Sequence, residues 1–260
     1  MDKLKKIVKS KAFTYVFLAL ILGVIVFFRS DFVFSSDKII NESIKNLATE
    51  TAVLLIVIFA FCSKETLCFG SLKVSLKGFL WALPCFLVAL ANFPFSALIS
   101  GQAVVLRKDL IWLIAIECLL VAMTEELFFR AIVGAYLDKK LNGKHKTFKC
   151  VILSGTIFGA WHLINLLGGA GVVETLLQVV YTFLIGAMLS MLIIKTKSLT
   201  LCVLVHAIFN FGGLLIQRLG TGVAHDLIFW IATVFAGLLC FVFMGVSYIK
   251  DYKPFSKITD

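Results

Sequence analysis

Apolar runs follow one another along the whole chain and leave little freedom of fold. A helix needs about 20 apolar residues to cross a bilayer, within a range of about 17–25. Candidate spans fall at roughly 13–28, 47–63, 79–100, 110–136, 150–167, 172–194, 199–217 and 227–249, the first being short at its apolar core. Lipid offers no hydrogen bonds, so each span must satisfy its own backbone, which at these lengths means α-helix. Of the 260 residues, 60% are hydrophobic, against about 45–50% in soluble domains. The expected fold is all-α: a polytopic membrane protein of about eight transmembrane helices. It forms one membrane domain over residues 1–260, since little chain remains for a soluble one.

The net charge of +10 gains meaning once it is placed by side. Lys3, Lys5, Lys6, Lys9 and Lys11 precede the first span and hold that end in the cytoplasm. With eight spans, 18 of the 25 Lys and Arg fall in cytoplasmic segments and six in outer ones, leaving Arg130 inside a span. Both termini are then cytoplasmic, in an integral multi-pass protein. The basic loops act as anchors facing anionic lipid, so nucleic acid is not an expected partner and the bilayer is. Residues 1–28 resemble a leader but lack a small-x-small cleavage site, and a retained anchor is expected. The seven Cys are scattered without a CxxC pair and are read as packing residues.

Charge inside the bilayer is costly, about 2.5–3.5 kcal/mol per residue on insertion scales. Polar residues within spans therefore face a protein interior or a wet cavity. Here they concentrate in three spans. One carries Glu117, Glu125, Glu126 and Arg130; another carries His162 and Asn165; a third carries His206 and Asn210. At a rise of 1.5 Å per residue, Glu125, His162, His206 and Asn210 lie about 17, 18, 11 and 17 Å from the cytoplasmic ends of their helices. One buried site shared by three helices accounts for that common depth. Glu126 and Arg130 are spaced i,i+4 with the acid first, the favourable order for a pair along a helix. Glu125 is turned about 100° from Glu126 and is free to face the cavity. His206 and Asn210 share a face, as do Phe158 and His162.

A carboxylate, two imidazoles and an amide suit hydrolysis of an amide with water as nucleophile. Glu125 takes the proton from water, helped by His162, and His206 and Asn210 donate to the developing oxyanion, a role worth about 3–4 kcal/mol per donor. Neither a GxSxG elbow nor an HExxH helix is present. EExxxR (Glu125, Glu126, Arg130), FxxxH (Phe158, His162) and HxxxN (His206, Asn210), in this order, resemble the CAAX protease and bacteriocin-processing family of intramembrane endopeptidases, also called Abi.

The resemblance covers a motif-bearing core of about 110–217. It implies an eight-helix fold with its site open to the cytoplasm. It also implies a glutamate-type protease in which Glu125 and His162 activate water and His206 and Asn210 stabilise the oxyanion. Glu126, Arg130 and Phe158 are supporting residues. No cofactor is required in that reading. The alternative, from the family's older description, is zinc held by Glu125, His162 and His206. The expected partner is a membrane-associated peptide or protein substrate. It is of the bacteriocin or peptide-signal type in a bacterium, which the Lys- and Phe-rich, Pro-poor composition favours, and of the prenylated CAAX type in a eukaryote.

Two other classes remain open on the residues alone. One is a non-catalytic bacteriocin-immunity or partner-binding membrane protein, and the other a proton-coupled transporter. Glu117 and Asn165 are expected to be structural, and His145 and His225 to be solvated loop residues. HLINLLGG (162–169) and HAIFNFGG (206–213) share a pattern, read as coincidence, in which the paired Gly permit close helix approach.

Overall fold

The computed structural model describes residues 33–58, 73–143 and 145–250. The expected span at 13–28 lies outside these residues, as does the end of the second beyond 58. The remaining expected spans are all helical. We number the helices α1 (Lys38–Ile56), α2 (Leu76–Ala91), α3 (Phe95–Ile99), α4 (Ile111–Glu126) and α5 (Gly134–Lys140). They continue as α6 (Lys146–Trp161), α7 (Val172–Thr196), α8 (Leu199–Leu219) and α9 (Leu227–Lys250). Among the described residues, four helical segments are long and apolar enough to cross a membrane: Lys146–Leu166, Val172–Thr196, Leu199–Leu219 and Leu227–Val246. The protein is an integral membrane protein with an all-α fold.

The helices are built inside out relative to a soluble bundle. Along α2, Leu76, Leu80, Leu83, Leu87 and Leu90 are exposed, whereas Gly78, Ala82, Cys85, Val88 and Ala89 are buried. Lipid tails are as apolar as Leu, so association depends on close packing of small side chains rather than on burial of large ones. The contact between α6 and α7 carries this furthest. A Cβ on Gly159 would lie 2.8 Å from the Val179 carbonyl oxygen, and one on Gly155 2.9 Å from that of Phe183. Only glycine admits a backbone approach this close, and the GxxxG spacing puts both on one face of α6.

Two spans depart from the expected outline. The third, 79–100, is not one helix: α2 stops at Ala91 and the short α3 starts after Pro94. Pro94 has no amide hydrogen to continue the ladder and disfavours helix in the residue before it. The break is filled by contact, since Asn92 Nδ2 donates to the Phe209 carbonyl at 2.8 Å. Phe93 presses on α8 where a Cβ on Gly212 would meet its ring at 2.6 Å. The paired Gly at 212–213 therefore do permit close approach. Those at 168–169 lie in a turn after α6, with Gly169 at φ +85°, so the two similar octapeptides have unlike conformations.

The fifth span also ends early. Its α-helix stops at Trp161, and His162–Leu166 form a 3₁₀ turn. A further departure lies in α4, where Leu127–Val133 form a π-helical stretch that runs on into α5. Single π turns inside helices recur at functional sites.

One end of the bundle is clasped by a two-stranded antiparallel ribbon, Ala103–Val105 (β1) with Gly220–Gly222 (β2), in which Val104 opposes Thr221. It joins the start of α4 to the end of α8. Asp37 caps α1 there by accepting from the Ile39 and Ile40 amides, and accepts from Arg107 Nη1 at 2.6 Å. Arg107 also donates to both oxygens of Asp109. The Arg107 guanidinium, followed by the Ile40 amide, holds the Asp37 carboxyl below the usual range. Because α1 and α4 start at this same end, they run parallel.

Candidate active site

Helix α4 reaches its π stretch with two adjacent acids, and the turn sets their directions apart. Glu126 points into the bundle and is fully buried, as is Arg130. Arg130 Nε donates to Glu126 Oε2 at 2.9 Å and Nη2 to Oε1 at 3.3 Å. The expected pair is thus present, and the wider π turn preserves it. The guanidinium's remaining edge is also occupied: Nη1 donates to Ser154 Oγ of α6 at 3.3 Å. Ser154 Oγ lies 3.1 Å from Ser190 Oγ of α7, which donates to the Gly186 carbonyl at 2.8 Å. The Phe158 ring stacks under the guanidinium, 4.8 Å from Cζ to centroid. A planar cation with five donors suits this three-helix junction in a way that a lysine would not.

His206, from α8, stands between both acids. Its Nδ1 lies 2.9 Å from Glu126 Oε1 and its Nε2 3.5 Å from Glu125 Oε2. A carboxylate only accepts, so Nδ1 carries a proton directed at Glu126. Glu125 is the more accessible acid, with one fifth of its side chain exposed, and its carboxyl lies where a water could reach it.

His162 arrives differently. Its Nδ1 is 2.9 Å from the Phe158 carbonyl, freed because the α-helix ends there. A carbonyl cannot donate, so Nδ1 holds the proton and Nε2 is left as an acceptor. The Phe158 ring is edge-on to both imidazoles, at 5.1 Å from His162 and 5.8 Å from His206.

Glu125, Glu126, Arg130, Phe158, His162 and His206 are thus gathered in one layer. Ser198, which caps α8, is itself buried, so that helix begins inside the bundle. Asn210 lies one turn beyond His206 on α8, half-buried, and its side chain makes no hydrogen bond among the described residues.

Several residues outside the motifs take part. Ser154 satisfies Arg130 and is in turn held by Ser190, and neither had a mark in the sequence beyond the fourfold spacing Ser154, Phe158, His162. Asn165 donates to Gln178 Oε1 of α7 at 2.8 Å, an interhelix bond as expected. Glu117 is structural too: Asn46 Nδ2 and Arg218 Nη1 donate to its Oε1 at 2.6 and 3.2 Å. His145 and His225 are exposed, His225 being stacked on Phe229. Cys85, Cys118, Cys150, Cys202 and Cys240 are buried free thiols.

Zinc fits this arrangement poorly. Among the described residues no group of three His, Cys, Asp or Glu side chains is placed to hold a metal ion. His206 turns both nitrogens to carboxylates, and Nδ1 of His162 is taken by the Phe158 carbonyl.

Charged groups are balanced within the layer, with Arg130 against Glu126 and an imidazole between the two acids. Such a site can hold a water against a carboxylate, and it can offer N–H donors to a developing negative charge.

Comparison with known proteins bears on the same stretch. Residues 107–212 match the family model described as Type II CAAX prenyl endopeptidase Rce1-like. No curated protein and no solved structure matches the chain. The matched segment holds EExxxR, FxxxH and HxxxN complete, so that through residues 107–212 the chain is similar to the Rce1-like type II CAAX prenyl endopeptidase family.

Proposed function

We propose that the protein is an intramembrane endopeptidase that hydrolyses a peptide bond in a membrane-associated peptide or protein. The observation that carries this reading is the placement of Glu125 Oε2 3.5 Å from His206 Nε2, with His206 Nδ1 held by buried Glu126.

In the proposed reaction Glu125 accepts a proton from water while the oxygen attacks the scissile carbonyl carbon. The Nε2 of His162 accepts a hydrogen bond from the same water and aims it. His206, protonated on both nitrogens, donates from Nε2 to the oxyanion, and the Asn210 amide, one turn away, donates a second bond. Glu125 then gives its proton to the departing amide nitrogen, the C–N bond breaks, and a carboxylic acid and an amine are released. Glu126 and Arg130 orient His206 and do not touch the substrate. No step passes through a metal or cofactor.

The substrate we favour is a short peptide or a membrane-protein tail, in bacteriocin maturation or peptide-signal processing. The Lys- and Phe-rich, Pro-poor composition supports a bacterial plasma membrane as its location, with both termini and the site's opening on the cytoplasmic side. In a eukaryotic setting, a prenylated CAAX protein would be the corresponding substrate.

The test is cleavage by the purified protein in detergent, with and without a chelator, against a panel of leader-bearing, transmembrane and prenylated peptides. Cleavage insensitive to the chelator is expected. Absence of any cleavage, together with a cellular immunity phenotype that survives Glu125→Gln, would favour a binding protein on this scaffold.

A further inference from the structure

Of the elements that build the site, the 3₁₀ turn His162–Leu166 is the one with no buried residue. Helix α6 is zipped to α7 at Gly155 and Gly159 but stops at Trp161. Leu163, Ile164 and Leu166 of the turn are exposed. A 3₁₀ turn has poorer hydrogen-bond geometry than an α-helix and is used in short pieces. Neither packing nor its own backbone therefore does much to fix the turn, and His162 is its first residue.

One polar contact ties the turn to α7. Asn165 Nδ2 donates to Gln178 Oε1 at 2.8 Å. With three residues per turn, side chains at i and i+3 of a 3₁₀ helix eclipse, so Asn165 stands directly beyond His162 on one edge. The Asn165 carbonyl also accepts from the Gly168 and Ala170 amides at 3.0 and 3.1 Å, which closes the turn at its far end. The leucines and isoleucine of the turn have no polar atom to reach α7 with. The 3₁₀ form matters to the imidazole. The His162 amide donates to the Gly159 carbonyl, three residues back, while Nδ1 of the ring donates to the Phe158 carbonyl, four back, at 2.9 Å. An α-helical continuation would direct the amide at that same Phe158 oxygen, in competition with the ring.

We propose that Asn165 and Gln178 are positioning residues that act through His162: their amide bond holds the 3₁₀ turn on α7, and the held turn keeps the ring proton on Nδ1 and leaves Nε2 as the acceptor at the site. What Nε2 then does for the reaction rests on the peptidase reading above. Once the turn is released, Nδ1 loses its fixed acceptor. The neutral imidazole is then free to carry its proton on Nε2, where it can no longer accept a hydrogen bond from water. Neither amide touches the substrate in this account. An interhelix bond that served stability alone would leave the tautomer of His162 as it is, and that difference is measurable.

The experiment is the imidazole ¹⁵N spectrum of the full chain in detergent at about pH 8, where an ordinary histidine is neutral, with kcat, KM and thermal unfolding measured on the same samples. The chain has four His, and the His162 signal is the one lost in His162→Gln. Wild type is expected to give the Nδ1–H tautomer alone. Asn165→Leu and Gln178→Met, close in shape and without the bond, should each gain an Nε2–H signal. In both, kcat should fall by about three- to twentyfold, the strength of an interhelix bond in a membrane expressed as a rate, with KM near wild type. Gln178→Glu keeps an acceptor for Asn165 and should return both readouts toward wild type. Thr233→Val, which deletes the bond from α9 to the Ala91 carbonyl, is the control for general loosening and should leave the His162 signal and kcat unchanged. Either amide variant serves if the other does not fold. A wild-type His162 signal in a folded amide variant overturns the inference, as does an equal change in Thr233→Val or an altered tautomer with unchanged kcat. A wild type that cleaves no peptide overturns the peptidase reading, and the spectrum alone then decides whether the amide pair holds the ring.

Discussion

Glu126 accepts a hydrogen bond from His206 Nδ1 at 2.9 Å, although 80 residues separate them in the chain. This bond ties α4 to α8 at the depth of the site and turns the other face of the imidazole toward Glu125. The same carboxylate takes two donors from Arg130, so one buried acid orients both the cation and the ring.

Glu126→Ala should therefore be costly in two separate ways. It strands a buried guanidinium, a loss of about 3–5 kcal/mol in related buried pairs, read as a lower unfolding temperature in detergent. It also frees the His206 ring, and a misplacement of about 1 Å costs activity on the order of a hundredfold. Arg130→Lys should retain the charge but lose the contact to Ser154, and fall between wild type and Glu126→Ala in both measurements.

The α6–α7 contact gives a steric prediction. Gly159→Ala places a methyl 2.8 Å from the Val179 carbonyl oxygen and should destabilise the protein by about 1–3 kcal/mol. His162, three residues on, should lose its place, so activity falls with stability. Gly237→Ala on α9, where a Cβ meets nothing within 4 Å, is the control. It should be neutral or stabilising by about 0.5–1 kcal/mol.

At the ribbon end, Asp37 gives a pH prediction. Its carboxyl is held below the usual range, first by Arg107. A group with a lowered folded pKa contributes stability that is fully present above its unfolded value, about 3.9 for Asp. That contribution is lost as pH falls through the lower folded value. Wild type should thus lose unfolding temperature more steeply than Asp37→Asn below about pH 4, and the two should run parallel from there to neutrality.

Lys197 closes α7 in the left-handed region, with φ +57°. Its ammonium nitrogen is buried without a hydrogen-bond partner among the described residues. Burial pushes the ammonium down to about 8. Lys197→Gly removes both the left-handed strain and the buried charge, and should raise stability by about 1 kcal/mol, the usual cost of that conformation for a residue with a Cβ.

The residues that face lipid and those gathered at the candidate site were legible for the same reason. A bilayer makes every buried polar residue conspicuous, so Glu125, Glu126, Arg130, His162 and His206 stood out against an apolar background. Their pairing followed from i,i+4 spacing. What stayed hidden depends on contacts that spacing does not encode. The stop of α2 at Ala91 turns on Pro94 and on the room that Gly212 leaves for Phe93. The π stretch at 127–133 has no compositional mark. Ser154 and Ser190 become readable only once their helices are laid side by side, because a Ser in a span is equally compatible with many neighbours.

The most direct measurement of the central claim is the single-turnover cleavage rate of Glu125→Gln beside wild type. It is taken on one susceptible peptide, with both proteins shown to unfold at the same temperature. The amide keeps the shape of the side chain and cannot accept the proton from water. A loss of about 10²–10⁴-fold is predicted, the usual contribution of a positioned general base. A rate indistinguishable from wild type in the folded variant would contradict the assignment of Glu125 as the group that activates water.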